Sequence, residues 1–221
     1  MDLNKYIDYT NLKATATLKD IELLCDIAIK NCFASVCVHP YYVPLAKEIL
    51  KDTNVLVCTV VGFPLGCNTT SVKAYEAIEA INNGADEIDF VINLAALKNK
   101  DYEYIKNEIE EIRDSIDGKT LKVIIEACYL EEEEIIKMTE ICNETFVNFI
   151  KTSTGFGTRG VKLEDIELIN KHKNDILEVK ASGGIKDFNF VLDLIDNGVT
   201  RLGMSNISCI KEEIKWKYMK N

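Results

Sequence analysis

The sequence has few prolines, histidines and tryptophans, and it has no excess of positive charge. Its 221 residues include 3 prolines, 2 histidines and 1 tryptophan, and 26 basic residues against 36 acidic ones give a net charge of −10. A chain this acidic lacks the basic surface that binds nucleic acids or anionic membranes, so we expect neither as a partner. Its 47% hydrophobic and 28% charged residues are typical of a globular protein and exclude a disordered or fibrous one.

Long apolar runs are absent as well. The longest uncharged stretch, residues 53–72, is interrupted by Gly62, Pro64, Gly66 and Asn68, which makes it too polar to span a bilayer. The first residues do not contain the apolar core of a signal peptide. We therefore expect the eight cysteines to be free thiols in a reducing compartment, and we predict a cytoplasmic location.

Motifs that bind metals or nucleotides are also missing. No Cys-x-x-Cys pair occurs, and His39 and His172 lie far apart in the chain, so we expect no metal and no cofactor. No Gly-x-Gly-x-x-Gly motif follows the first strand, and no Gly-x-x-x-x-Gly-Lys-Ser/Thr motif is present. These absences disfavour the nucleotide-binding α/β folds.

What the sequence does contain is a regular alternation of short apolar segments with helical stretches. The segments are rich in β-branched residues and are bounded by Gly, Asn, Asp or Pro, which is typical of buried parallel strands. They are Ile7–Thr10, Ala34–Val38, Val55–Val61, Ile88–Ile92, Leu121–Ala127, Phe146–Ile150, Ile176–Val179 and Arg201–Met204. An open doubly wound sheet and a closed (β/α)8 barrel both fit this alternation. Polar groups at the carboxyl ends of several strands favour the barrel, so we predict a single TIM-barrel domain over residues 1–221.

The helical stretches between these strands show apolar periodicity. Thr17 and Asp20 predict a capping box, and the apolar face behind it is Leu18, Ile21, Leu24, Cys25 and Ala28. A later helix shows an apolar face at Val72, Ala77, Ile78 and Ile81. The acidic run Glu131–Glu134 stands at the start of a helix, where it favours contact with the helix dipole over a role in substrate binding. A final helix is predicted over Lys211–Tyr218.

Two lysines at the ends of predicted strands indicate the chemistry. Lys151 opens Lys-Thr-Ser-Thr-Gly, and Lys180 opens Lys-Ala-Ser-Gly-Gly. A single lysine there could be structural, but two at equivalent strand ends favour a functional site. A second ammonium group and partial burial both lower the pKa of a lysine from about 10.4, which yields an amine able to form a Schiff base with a carbonyl.

An aspartate and a group of glycines complete the candidate site. Asp89 alternates with Ile88 and Phe90, so it faces the other side of its strand, and either Asp89 or these neighbours point into the barrel. An aspartate that faces the two lysines could relay protons for them, although a hydrogen bond to a loop backbone is the alternative. Backbone amides near the last strands of a barrel commonly hold a phosphate, and the candidates here are Gly155, Gly157, Gly183, Gly184 and Gly203–Asn206.

Taken together, seven segments resemble the deoxyribose-phosphate aldolase family over residues 7–206. They are Ile7–Thr10, Ser35–Val38, Val61–Pro64, Gly84–Asp89, Lys122–Glu126, Phe149–Gly155 and Val179–Gly184. The resemblance implies a TIM barrel and a metal-free class I aldolase. The implied reaction is the reversible cleavage of 2-deoxy-D-ribose 5-phosphate to D-glyceraldehyde 3-phosphate and acetaldehyde, in deoxyribose phosphate catabolism.

The resemblance also implies roles for individual residues. Lys151 corresponds to the Schiff-base lysine, Lys180 to the lysine that lowers its pKa, and Asp89 to the acid/base group that acts through water on the C3 hydroxyl. The implied phosphate contacts are Gly155, Gly183, Gly184 and Ser205. The other implied site residues are Asp8 and Thr10 near the site, Cys37 facing the substrate, and Asn206 as a further phosphate donor.

The sequence departs from the family at two positions near the site. Asn206 stands where the family often has a serine, and Tyr9 stands where it usually has histidine or leucine. Two other functions stay open: a Schiff-base barrel aldolase for a different sugar phosphate or keto substrate, and a non-catalytic barrel that binds a sugar phosphate. A homo-oligomer, either a dimer or a tetramer, is also open.

Overall fold

Eight parallel strands close into a barrel in the computed structural model, which describes residues 2–210. The strands are β1 (Ile7–Asn11), β2 (Ser35–Val38), β3 (Leu56–Val61), β4 (Glu87–Val91), β5 (Thr120–Ile124), β6 (Phe149–Lys151), β7 (Glu178–Ser182) and β8 (Arg201–Met204). Each strand pairs with the next, and β8 pairs with β1 to close the barrel. The predicted (β/α)8 TIM barrel is confirmed.

Helices cover the outside of the barrel. They are α1 (Leu18–Asn31), α2 (Val43–Ile49), α3 (Thr70–Asn82), α4 (Leu94–Lys98), α5 (Tyr102–Ser115), α6 (Glu132–Glu144), α7 (Leu163–His172) and α8 (Phe188–Asp196). Within residues 2–210, none of them combines the length and the hydropathy that crossing a membrane requires. The helix predicted over Lys211–Tyr218 lies outside the described residues.

The start of α1 matches the predicted capping box. The Asp20 carboxylate accepts a hydrogen bond of 2.8 Å from the Thr17 amide, and the Thr17 hydroxyl accepts one of 3.3 Å from the Asp20 amide. Four residues of the predicted face are buried, namely Ile21, Leu24, Cys25 and Ala28. The fifth, Leu18, is 57% exposed. The prediction for Leu18 was wrong because this residue lies in the first turn, ahead of the turns that contact the sheet.

The predicted apolar face of α3 is correct at Ala77 and Ile81, which pack against the core, and wrong at its other two positions. Val72 is 51% exposed and Ile78 is 41% exposed, and the buried residues are Lys73, Ala74, Ala77 and Ala80. Small side chains let this helix lie close to the strands. The ammonium of Lys73 reaches the Glu108 carboxylate at 2.7 Å and the Val91 carbonyl at 2.9 Å. A buried lysine can therefore lie on the face of α3 that packs against the barrel, because its charge is paired. A search for hydrophobic residues alone could not identify Lys73 as part of this face.

The acidic run before α6 acts at the helix terminus, as the sequence indicates. The Glu134 carboxylate accepts a hydrogen bond of 2.9 Å from the Glu131 amide, which forms a capping box. Glu134 also pairs with Lys98 at 2.5 Å. The run therefore stabilises the start of the helix.

The inside of the barrel is unusually polar. Alternation along the strands directs Val36, Val38, Ile88 and Phe90 outward into the main apolar core. The opposite faces of β1, β4, β5, β6, β7 and β8 all supply charged side chains that contact one another. The charges of six strands therefore meet on the barrel axis.

Candidate active site

The carboxylate of Asp89 is the centre of the site. Its Oδ2 atom accepts hydrogen bonds from Lys151 Nζ at 2.7 Å and from Lys180 Nζ at 2.6 Å. Its Oδ1 atom accepts one from Lys122 Nζ at 2.9 Å. All four side chains are buried, and only Lys151, at 3% exposure, retains any measurable contact with solvent. The structure therefore brings together the three residues predicted to carry the chemistry and adds a third lysine, Lys122.

Asp89 belongs to a closed ring of ion pairs, in which acidic and basic side chains alternate. The ring runs through Asp89, Lys122, Glu87, Arg201, Asp8 and Lys180. Lys122 lies 2.6 Å from Glu87, and Arg201 lies 2.8 Å from Glu87. We call this arrangement the ion-pair ring.

Arg201 and Asp8 close the far side of the ion-pair ring. The Arg201 guanidinium donates to Asp8 Oδ1 through two of its nitrogens, and Lys180 Nζ lies 2.5 Å from Asp8 Oδ2. Ser35 donates a further hydrogen bond of 2.7 Å to Asp8 Oδ1. Asp8 therefore fixes the position of Lys180 from below and does not reach the substrate side.

The contacts of the ion-pair ring favour the charged forms of Asp89 and Lys180. Burial favours the neutral form of a carboxyl, but Lys122, Lys151 and Lys180 hold the pKa of Asp89 well below its ordinary value. Burial also disfavours an ammonium, but Asp8 and Asp89 raise the pKa of Lys180 above its ordinary value. The ring balances three acidic against three basic groups, so Lys151 adds one further positive charge beside it.

A cavity of about 310 Å³ opens above Lys151 at the carboxyl ends of the strands. The predicted site residues that line it are Thr10, Lys151, Gly155, Gly183, Gly184, Ser205 and Asn206. Asp8, Asp89 and Lys180 lie beneath this cavity, fully buried. Lys151 is therefore the group that connects the ion-pair ring to the space where a substrate can bind.

One end of the cavity suits an anion. Gly183 has a φ of +81°, which favours glycine, and the turn that it forms packs closely against Gly160. Lys13 and Lys186 line the same cavity and are exposed. Backbone amides and two ammonium groups together form a local cationic region in an acidic protein. Neither lysine was predicted, although Lys186 lies close behind the Gly-Gly turn.

Glu126 holds the loop that follows Lys151. Its buried carboxylate accepts hydrogen bonds from the amide of Thr154, at 3.2 Å, and from the Thr154 hydroxyl. Gly157 lies so close that an added Cβ would meet the Cys128 sulfur at 2.5 Å and Glu126 at 3.1 Å. This contact explains why glycine is needed at position 157.

Cys37 is not at the cavity surface. It is fully buried in a small cluster with Leu12, Cys58 and Val60, against which Phe63 packs. The resemblance implies that Cys37 faces the substrate, and this stays a prediction. In the structure Leu12, a member of the same cluster, lines the cavity, and Cys37 lies behind the cavity wall.

Within residues 2–210, one group of side chains has the spacing of a metal site: Cys37, Cys58 and Asp89, whose donor atoms lie within 4.8 Å of one another. The Asp89 oxygens already accept from three ammonium groups. A divalent cation there would face strong repulsion from those groups. The donor set is therefore poorly suited to a metal ion.

Lys122, Glu87 and Arg201 were not predicted as site residues. Each lies at an inward position of a mostly apolar strand, on β5, β4 and β8 respectively. They could have been identified because each is a charged residue at a position that alternation directs into the barrel. Such a residue cannot be buried without a partner of opposite charge.

Comparison with known proteins identifies the family. A family model described as DeoC/LacD family aldolase matches residues 2–204. A protein of Finegoldia magna named deoxyribose-phosphate aldolase is 52% identical over 206 residues, which cover 93% of this chain and 97% of that protein. One of Metamycoplasma hominis with the same name is 50% identical over 98% of this chain and 97% of its own.

Solved structures agree with this assignment. An aldolase called QR15 superimposes with a TM-score of 0.95 at 43% identity, and the match covers 100% of both chains. A tetrameric deoxyribose phosphate aldolase from Aeropyrum pernix superimposes with a TM-score of 0.88 at 27% identity, over 98% of this chain and 92% of that one. The chain therefore belongs to the DeoC/LacD family of aldolases.

Proposed function

We propose that this protein is a class I aldolase that reversibly cleaves 2-deoxy-D-ribose 5-phosphate to D-glyceraldehyde 3-phosphate and acetaldehyde. The observation that carries the proposal is the position of Lys151. Its amine lines the cavity, and it also contacts the catalytic carboxylate of Asp89 at 2.7 Å. Relatives that are about half identical and bear the name deoxyribose-phosphate aldolase support the choice of substrate.

The first step is Schiff-base formation on Lys151. Lys151 and the protonated Lys180 share one oxygen of Asp89, and two adjacent ammonium groups repel each other. Loss of the Lys151 proton relieves this repulsion and leaves an amine that attacks C1 of the open-chain sugar. The carbinolamine then loses water to form the imine, and Asp89 and Lys180 supply the path for the protons.

The second step breaks the bond between C2 and C3. Asp89, acting through water, accepts the proton of the C3 hydroxyl, and C3 becomes the aldehyde of D-glyceraldehyde 3-phosphate. The electron pair of the broken bond moves into the imine and forms an enamine on Lys151. Protonation at C2 and hydrolysis release acetaldehyde and regenerate the lysine.

The phosphate occupies the cationic end of the cavity. The Gly183–Gly184 turn, Ser205 and Asn206 supply donors there, and Lys13 and Lys186 supply positive charge. This arrangement reconciles an anionic substrate with a protein of net charge −10, because the binding charge is local. The length of the sugar then directs C1 toward Lys151.

The decisive experiment is reductive trapping combined with turnover. Borohydride added with acetaldehyde is expected to leave a stable adduct on Lys151, and Lys151→Met is expected to lose both the adduct and cleavage. Lys171→Met, which removes an exposed lysine on α7, is the matched control and should retain both. A preparation that cleaves the sugar phosphate without any adduct would contradict the Schiff base.

A panel of substrates separates the other functions. Faster cleavage of a different sugar phosphate or keto substrate would favour another Schiff-base aldolase. Binding of sugar phosphate without turnover would favour the non-catalytic barrel.

The remaining properties of the chain form part of the same proposal. The chain is a single domain that needs no metal or cofactor, acts in the cytoplasm and binds neither nucleic acid nor membranes. Buried thiols such as Cys25 and Cys142 support a reducing compartment. A homo-oligomer, dimer or tetramer, is supported by the tetrameric Aeropyrum pernix relative, and light scattering measures it directly.

A further inference from the structure

Cys37 and Cys58 form a pair across two neighbouring strands. They are register partners on β2 and β3, and adjacent strands lie about 4.8 Å apart, within the range that disulfides span between Cα atoms. Their sulfur atoms lie within 4.8 Å of each other. Both side chains are fully buried, so the pair is enclosed inside the barrel.

The pair is hydrogen-bonded to the carboxylate of Asp89. Cys58 Sγ donates a hydrogen bond of 3.1 Å to Asp89 Oδ1, and Lys122 Nζ donates one of 3.5 Å to the same sulfur. Any change at Cys58 therefore alters the contacts of Asp89 Oδ1. The other oxygen of this carboxylate, Oδ2, is the one that Lys151 and Lys180 share.

Cys37 has surroundings that favour its thiolate. Hydrogen bonding with Cys58, together with the positive charges of Lys180 and Lys151, lowers the pKa of Cys37 despite its burial. Cys25 differs, because burial among apolar side chains raises its pKa to about 12. Thiolate character, together with a second thiol in register, distinguishes the Cys37–Cys58 pair from a lone structural cysteine.

We propose that Cys37 and Cys58 are a modification site, a dithiol that a small hydroperoxide converts to a disulfide and thereby inactivates the aldolase site. The loss of activity rests on the proposed function, whereas formation of the disulfide does not. Hydrogen peroxide is the class of oxidant that fits, because only a very small molecule can pass the Leu12 and Phe63 side chains that cover the pair.

The chemistry balances in two steps. The Cys37 thiolate attacks one peroxide oxygen, so an S–O bond forms, the O–O bond breaks, and the departing hydroxide takes the former thiol proton as water. The Cys58 sulfur then attacks the Cys37 sulfur, so the S–S bond forms and the S–O bond breaks. The hydroxyl leaves with the Cys58 proton as a second water. Two thiols are oxidised and one peroxide is reduced.

The disulfide removes the hydrogen bond that Cys58 donates to Asp89. An S–S bond of about 2.05 Å draws Cys58 away from Asp89 Oδ1 and eliminates its S–H donor. Asp89 then retains only Lys122 on that oxygen among the contacts described above. Misplacement of a catalytic group by about 1 Å can cost a factor of about 10² in rate, so we expect oxidation to reduce cleavage by at least about 10-fold.

The test exposes the whole chain to hydrogen peroxide, alkylates the remaining thiols and maps peptides by mass spectrometry. In the wild type we expect a Cys37–Cys58 cross-linked peptide, a loss of activity that parallels its yield, and recovery of both with dithiothreitol. Cys58→Ser retains a hydroxyl donor near Asp89, and we compare it only with itself before and after oxidation. We expect no cross-link, because oxidation of Cys37 then stops at a sulfenic acid, which dithiothreitol also reduces; the cross-linked peptide is therefore the readout that separates this variant from the wild type.

Cys67→Ser is the matched control, because Cys67 is exposed and lies outside the ion-pair ring. It should behave like the wild type before and after oxidation. Absence of the Cys37–Cys58 peptide in oxidised wild type overturns the proposal, as does a complete cross-link with unchanged activity. If the reduced protein fails to cleave deoxyribose 5-phosphate, the proposed function fails instead. The yield of the Cys37–Cys58 peptide then still tests the modification site, because it does not depend on turnover.

Discussion

Lys151 and Lys180 are register partners on β6 and β7, and both donate to a single oxygen atom, Asp89 Oδ2. One carboxylate oxygen thus binds two ammonium groups, although only Lys151 reaches the cavity. Under the proposed mechanism the two lysines therefore have different roles. Lys151 exchanges its proton for a bond to the substrate, whereas Lys180 remains charged beside it because Asp8 and Asp89 surround it.

Replacing Lys180 should separate trapping from turnover. In Lys180→Met we expect kcat for cleavage to fall by about 10²–10⁴-fold, because a general acid beside the reacting amine is lost. The Lys151 adduct with acetaldehyde should still form, though more slowly. Stopped-flow kinetics and mass spectrometry measure the two effects. Equal loss of adduct and turnover, at an unchanged circular dichroism spectrum, would contradict this division of roles.

Removing Arg201 from the ion-pair ring should lower the free energy of unfolding. Arg201→Met removes one of the two cationic partners of Asp8 and of Glu87, which keep only Lys180 and Lys122, and breaking a buried pair costs about 3–5 kcal/mol. Urea unfolding measures the loss. Lys47→Met, which removes a partly exposed pair with Asp86, is the control and should cost less than about 1 kcal/mol.

The double variant Glu87→Gln, Arg201→Met tests the same contact. Because one of the two carboxylates that lose the Arg201 contact is then neutral, the double variant should lose less stability than the sum of the two single variants. Strict additivity would show that Glu87 and Arg201 do not act together.

Stability should depend on pH at both extremes. Surrounding cations lower the pKa values of Asp8 and Asp89 in the folded state. Their contribution is therefore present above the unfolded value of about 4 and is lost as the pH falls below it. Lys122 and Lys180 have raised pKa values. Their contribution is complete below the unfolded value of about 10.4 and is lost as the pH rises above it.

Urea unfolding between about pH 3 and pH 11 checks this behaviour. We expect the free energy of unfolding to decline at both ends. Asp8→Asn should be less stable than the wild type at neutral pH and should show a shallower decline on the acid side. An identical acid slope in the two proteins would show that Asp8 does not contribute to it.

The cationic end of the cavity should determine affinity for the phosphate. Lys186→Met is expected to raise KM for deoxyribose 5-phosphate by about 10-fold, because a charge-assisted contact is lost. Cleavage of unphosphorylated 2-deoxyribose should change little. Lys106→Met, at an exposed position on α5 that pairs with Glu144, is the control. Equal effects on both sugars would place Lys186 outside the phosphate subsite.

The sequence was sufficient for the barrel and for the central residues of the site because both leave local signals. Strand periodicity gave β1 to β8, and Lys151 and Lys180 stand out as charges at the ends of apolar strands. The inner face of α3 could not be found in this way, since Lys73 is buried by virtue of Glu108, a partner 35 residues away. Lys122, Glu87 and Arg201 were missed for the same reason, because the partners that allow their burial come from other strands.

The contact between Asp8 and Arg201 joins positions 193 residues apart in the chain. Asp8 belongs to the first strand and Arg201 to the last, so the environment of Lys180 is incomplete until β8 docks against β1. On a ribosome, β8 is the last of the eight barrel strands to emerge. A nascent chain with seven of these strands therefore has Lys151 and Asp89 but not the finished charge network. Catalytic competence should consequently appear in a single late step, when the barrel closes.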